Sequence, residues 1–179
     1  MHEAMEAHEA HGGHEELPFM VPVVVTLSIL AVLVALATLF GHRAATEELY
    51  LQTKATDQWS YFQAKNIRLH EMQAVADMLD VLTPVDKEKA AALREKYLQE
   101  AARYDKEKGE VSEQAKEYEK ERELVSRRED RFDGSEVILE IGLIICSLAL
   151  LTKKKIFWYS GVGLGIVGLA VMISGFVLH

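Results

Sequence analysis

Two stretches of this chain carry no charged side chain, and neither can sit comfortably in water. They run from Leu17 to Phe40 and from Ile156 to Leu178. At about 1.5 Å of rise per residue, each reaches across a hydrocarbon core of roughly 30 Å. A third apolar run, Val137 to Leu151, is shorter and contains Glu140. The sequence therefore predicts an all-α membrane protein with three transmembrane helices. The polar middle, dense in Glu, Lys and Arg, is predicted to form a long extramembrane antiparallel helical hairpin of coiled-coil type. The expected divisions are a flexible His/Glu-rich tail at 1–16, a first transmembrane helix at 17–41 and the hairpin at 42–134, with its tip near 82–84. A second transmembrane helix at 135–152, a basic turn at 153–155 and a third transmembrane helix at 156–178 complete the chain.

A net charge of −8 argues against nucleic acid as a partner, since neutralising phosphates needs a basic surface. The one cysteine, Cys146, lies in the third apolar run, so no intramolecular disulfide can form. The first apolar run is a poor cleaved signal. No Lys or Arg precedes it, and it exceeds the usual length of a signal core, although Gly41-His42-Arg43-Ala44-Ala45 imitates a cleavage site. Retention as a membrane helix is expected.

Pro18 and Pro22 stand early in the first helix, where proline is tolerated. Gly41 is an isolated breaker, so this helix is expected to continue into the polar region. From Trp59 through Phe62, Leu69, Met72, Ala76 and Leu79, apolar residues fall largely three and four apart, on one helical face. Thr83 reads as the N-cap of the next helix, Pro84 as its first residue and Asp86 as its third. In that helix Tyr97, Ala101, Tyr104, Lys108, Val111, Ala115, Tyr118, Arg122 and Val125 form a thin heptad seam. Glu113–Lys116, Glu117–Lys120, Glu119–Arg122 and Glu123–Arg127 are spaced to pair along the surface. The two helices fold back over roughly 50–60 Å by the rise per residue. Asp133-Gly134-Ser135-Glu136 reads as a hinge, with Ser135 capping the second transmembrane helix.

Sidedness rests on the turn Lys153-Lys154-Lys155. Short basic loops face the cytoplasm, which places the N-terminus inside and the hairpin in the periplasm. Arg43, Arg127, Arg128 and Arg131 on the hairpin side argue the other way, but long loops weigh less under this rule.

Several residues are candidates for a site. His2, His8, His11 and His14 alternate with glutamates in the tail, a donor set suited to a divalent transition metal. The alternative is a tail whose histidines hold nothing specific. No other cofactor is expected. Glu140 and, one turn earlier, Glu136 are intramembrane carboxylates, which ordinarily face protein, water or a partner. Gly161, Gly165, Gly168 and Gly175 share a face of the third transmembrane helix, where glycine permits close helix packing. Trp158 and Tyr159 fit an interfacial belt. Trp59, Phe62, Tyr97, Tyr104 and Tyr118 are expected to make hairpin or oligomer contacts, with Tyr61 beside Trp59 in an aromatic cluster. No nucleophile–base pair, P-loop or dinucleotide fingerprint occurs, so no enzyme is expected.

The segment Lys54-Ala55-Thr56-Asp57-Gln58-Trp59-Ser60-Tyr61-Phe62-Gln63-Ala64-Lys65, and the basic turn with its following aromatics Leu151 to Tyr159, resemble a family of small bacterial membrane proteins known as domain of unknown function 4337. The similarity of layout extends over nearly the whole chain. It implies a bacterial inner-membrane protein and no particular activity. Arg43 stands where a second histidine would be expected after Gly41-His42.

The expectation from these features is a structural or scaffolding protein embedded in the lipid bilayer that self-associates into a symmetric homo-oligomer, a ring. A lone hairpin with so thin a seam buries little. The alternatives are an ion-conducting assembly with Glu140 near the path, and a metal-responsive sensor using the tail histidines.

Overall fold

The computed structural model describes residues 17–82 and 85–178. The tail histidines, Thr83 and Pro84 lie outside the described residues. Three helices make up the rest: α1, Leu17–Val81; α2, Lys87–Thr152; and α3, Lys155–Val177. All three contain stretches long and apolar enough to cross a membrane. The chain divides into two compact units, Met1–Ala45 with Leu124–His179, and Thr46–Glu123.

The first unit is a three-helix arrangement with a heptad logic. On α1 the buried residues Val23, Leu30, Ala37 and Ala44 recur every seventh position. On α2 Val125, Phe132, Leu139 and Cys146 do the same. On α3 Gly161, Gly165, Gly168, Met172 and Gly175 alternate by four and three. A repeat of seven keeps one stripe turned to its neighbours along the whole helix. The opposite faces expose Val21, Val25, Val32, Ile144, Ile166 and Ile173, an outer surface suited to hydrocarbon. In lipid, which supplies no hydrophobic drive between helices, close packing of small residues would hold such a unit together. Aromatics close both ends. Phe132 meets Phe40 and Phe176 at ring-centroid distances of 5.8 and 5.1 Å. At the other end Trp158 donates from Nε1 to Thr26 Oγ1 at 3.0 Å and meets Phe19 edge-on.

The second unit is an antiparallel pair formed by the distal half of α1 and the first part of α2. Its buried apolar residues are Leu51, Ala55, Leu69, Ala76, Ala101, Val111 and Ala115. Alanine dominates, so the helices come close but little apolar area leaves water. Polar contacts across the pair add direction. Trp59 Nε1 donates to Glu119 Oε1 at 2.8 Å, Arg94 pairs with Asp80 at 2.8 Å, and Lys108 donates to Asn66 Oδ1 at 3.3 Å.

Local structure departs from the sequence expectations at three places. The first is the start of α2. It begins at Lys87, so Asp86 stands before it and not as its third residue, and Asp86 caps it, its carboxylate accepting from the Lys89 amide at 3.1 Å. Asp is as good a cap as Thr, and an N3 amide is the ordinary partner. This contact, through the Lys89 backbone first and its side chain second, holds the Asp86 carboxyl below the usual aspartate range. The second is the expected hinge at 133–136, which is absent. α2 runs through it, and Ser135 is buried with its hydroxyl bonded to Phe132 O at 2.7 Å rather than capping a new helix. One glycine costs a helix about 1 kcal/mol, less than packing of the flanking turns returns. The third is the basic turn, which shrinks to Lys153 and Lys154, with Lys155 already helical. Lys153 takes a left-handed φ of 55°, unusual for a residue with a β-carbon, and its amide bonds back to Ala149 O at 2.9 Å.

Candidate functional site

Side chains of chemical interest gather in two grooves, one in each unit. The groove in the first unit has a volume of about 440 Å³. Thr38, Gly41, His42 and Ala45 line it from α1, and Glu129, Asp133, Glu136, Val137 and Glu140 from α2. The four carboxylates follow one another by four, three and four residues, which aligns them on one face of α2. Glu136 and Glu140 thus belong to a longer acidic row. Glu129 and Asp133 were missed in the sequence reading, although their spacing signals the same face. Glu136 is half-buried and lies 2.7 Å from Thr38 Oγ1, which donates to it; Glu140 is exposed. Thr38 also has Val34 O within 3.0 Å, so one hydroxyl proton faces two acceptors. Among the described residues no group of three or more His, Cys, Asp or Glu side chains converges where a metal ion could sit.

The second groove, about 560 Å³, lies against Trp59 between Gln52, Ala55 and Thr56 of α1 and Lys116, Glu119, Lys120, Arg122 and Glu123 of α2. Trp59 and Phe62 are half-buried and meet edge to face at 5.5 Å. Tyr61, expected in the same cluster, points elsewhere: it is exposed, with the Lys65 ammonium 5.0 Å from its ring centre. Tyr104 is half-buried beneath two cations, Lys65 at 5.2 Å and Arg103 at 5.0 Å. Lys65 also pairs with Glu107. Their hydrogen bond holds the Glu107 carboxyl below its usual range and raises the Lys65 ammonium. Both are reached by solvent, so this network orients more than it stabilises. Tyr97 and Tyr118 are half-buried. Of the surface pairs read from the sequence, Glu113–Lys116 is formed at 2.8 Å, while Glu119 reaches across to Trp59 instead of along its own helix.

The glycine face of α3 is occupied within the chain. A β-carbon at Gly161 would lie 2.6 Å from Cys146 Cβ and 2.9 Å from Gly142 O. At Gly165 it would meet Leu30, at Gly168 Leu139, and at Gly175 Phe132. Gly142 on α2 and Gly41 on α1 are further contact glycines. A β-carbon at Gly41 would lie 2.9 Å from Asp133 Oδ1. Gly163, off this face, has open space around it.

These features define an all-α protein of three helices, each long and apolar enough to cross a membrane, with a charged helical pair built on the first two. The chain belongs to the family described as Domain of unknown function (DUF4337), whose model matches residues 19–178. No curated protein and no solved structure matches it.

Proposed function

We propose that this chain is a non-enzymatic, self-associating structural or scaffolding protein of the bacterial inner membrane, assembled as a symmetric homo-oligomeric ring. The observation that carries this reading is the imbalance of the second unit. Its core is largely alanine, while Leu49, Tyr50, Tyr61, Ile67, Met78 and Leu93 are exposed. A unit with a small core that exposes that many large apolar side chains favours coverage by protein. The contact glycines of α3 are already filled by α1 and α2, so the reading places assembly contacts outside that face. The exposed Lys153, Lys154 and Lys155 favour a cytoplasmic turn and N-terminus, with the charged pair in the periplasm. Light scattering on detergent-solubilised full-length protein, corrected for bound detergent, is expected to give several chains per particle. A single chain per particle across mild detergents ends the proposal.

A second reading draws on the acidic row. Four carboxylates along one groove would form a cation path if copies brought their rows together. Under that reading, planar bilayers containing the protein pass cations, and Glu140→Gln cuts the conductance. Silent bilayers, or conductance unchanged by Glu140→Gln, remove it.

A further inference from the structure

A further groove, of about 490 Å³, lies in the first unit between α2 and α3. Arg127, Asp130, Arg131, Gly134 and Ile138 line it from α2, and Val171 and Leu178 from α3 and its end. On α2, Arg127, Arg131, Gly134 and Ile138 follow at spacings of four, three and four, so they form one stripe. Read along the helix, the stripe is cationic first and apolar afterwards. Ile141, 46% exposed, and Ile145 continue it. On α3 the exposed Val167 stands one turn before Val171. Charge is sorted by sign around α2. At about 100° per residue, the acidic row from Glu129 to Glu140 lies roughly 150° away from this stripe.

A second observation fixes the height of the groove. A β-carbon at Gly175 would lie 3.3 Å from Arg131 Cβ, which sets Arg131 level with the last turn of α3. Arg127 stands one turn further out. The two arginines thus sit where the apolar length of α3 ends, and the isoleucines sit alongside that length. Between them, a β-carbon at Gly134 would meet nothing within 4 Å.

We propose that this groove holds one anionic phospholipid, its phosphodiester between Arg127 and Arg131 and an acyl chain over Gly134, Ile138 and Val171. This rests on the membrane reading above. A phospholipid is the occupant because its charge and its chain come in the same order as the lining. A soluble anion would leave Ile138 and Val171 unused, and an apolar helix would bury two guanidinium groups with no acceptor. The two arginines outweigh Asp130 by one positive charge, which favours a lipid of net negative charge over a zwitterionic one. Guanidinium groups also match phosphate oxygens in a bidentate geometry.

The test is native mass spectrometry of the full-length protein in mild detergent, titrated with dioleoylphosphatidylglycerol or dioleoylphosphatidylcholine. One phosphatidylglycerol per chain is expected to be retained, well above phosphatidylcholine at equal mole fraction. A basic residue close to an anionic headgroup contributes a factor of about five, so Arg127→Gln with Arg131→Gln is expected to weaken retention about twenty-fivefold. Gly134→Phe fills the groove and keeps both arginines. It is expected to lose the lipid as well, and it decides the matter if the double variant does not fold. Undiminished retention in these variants, equal retention of phosphatidylcholine, or displacement of the lipid by inorganic phosphate at constant ionic strength each overturns the proposal. Alkaline carbonate washing of cell membranes separates the two ideas. Protein that stays in the washed membrane but does not retain the lipid overturns the groove and leaves the membrane reading standing. Protein released into the wash overturns both.

Discussion

Gly161→Ala will lower the resistance of the full-length protein to unfolding by sodium dodecyl sulfate, and Gly163→Ala, two residues on, will not. The added β-carbon at Gly161 meets Cys146 Cβ at 2.6 Å, Gly142 O at 2.9 Å and Cys146 Cα at 3.0 Å. Two of those atoms are backbone, so α2 and α3 must move apart along the whole contact. Overpacking of this kind costs about 1–3 kcal/mol. The gain of about 1 kcal/mol from replacing a helical glycine by alanine offsets only part of it. Gly165→Ala is expected to be milder, because its one close neighbour is Leu30 Cδ2, the end of a flexible side chain. Gly163→Ala meets nothing within 4 Å and keeps the propensity gain. The helical signal in circular dichroism, followed against the mole fraction of denaturing detergent, measures the series. Equal effects at 161 and 163 would show that the glycine face does not pack as described.

Phe132→Ala is the second large effect. Phe132 is 2% exposed and packs against Phe40 and Phe176, with the Gly175 backbone directly behind it. Its removal empties the centre of that cluster and forfeits contacts from all three helices. Truncating a buried phenylalanine costs about 3–5 kcal/mol in water-soluble cores. Under the membrane reading proposed above the transfer part of that cost is reduced, while the lost dispersion contacts remain, which favours the lower end of the range. Phe132→Leu should retain much of the packing and fall between Phe132→Ala and the unaltered protein in the same titration. A Phe132→Ala protein as resistant as the parent would mean that the three rings are not a core.

Much of this architecture was legible in the residues. The apolar runs and the three- and four-residue spacings are local properties, and they predict α1 continuing through Gly41, the fold-back before α2 and the shared face of Gly161, Gly165, Gly168 and Gly175. The failures were also local in origin. Asp133-Gly134-Ser135-Glu136 has the composition of a hinge, but Phe132 and Leu139 on either side are both buried and hold the helix straight through it. By chemistry Asp86 suits either a cap or a first-turn position, and only the backbone path makes it the cap. Glu119 has Arg122 three residues further along its own helix, a spacing suited to pairing, and it bonds Trp59 because folding brings the indole N–H across the pair. Glu129 and Asp133 were passed over because each is an ordinary surface residue until α1 supplies the other wall of their groove.

Hydropathy and period therefore determine by themselves that this chain forms three long helices and which stripe of each seeks a neighbour, because both quantities depend only on residues a few positions apart. Which neighbour each stripe receives is decided in the tertiary structure. The glycines of α3 close on Cys146, Leu139, Phe132 and Leu30 of the same chain, and Leu49 and Ile67 of α1 are left exposed. The physical reason is that close approach is a property of two surfaces at once, and the shape of the second surface is set by residues far away along the chain.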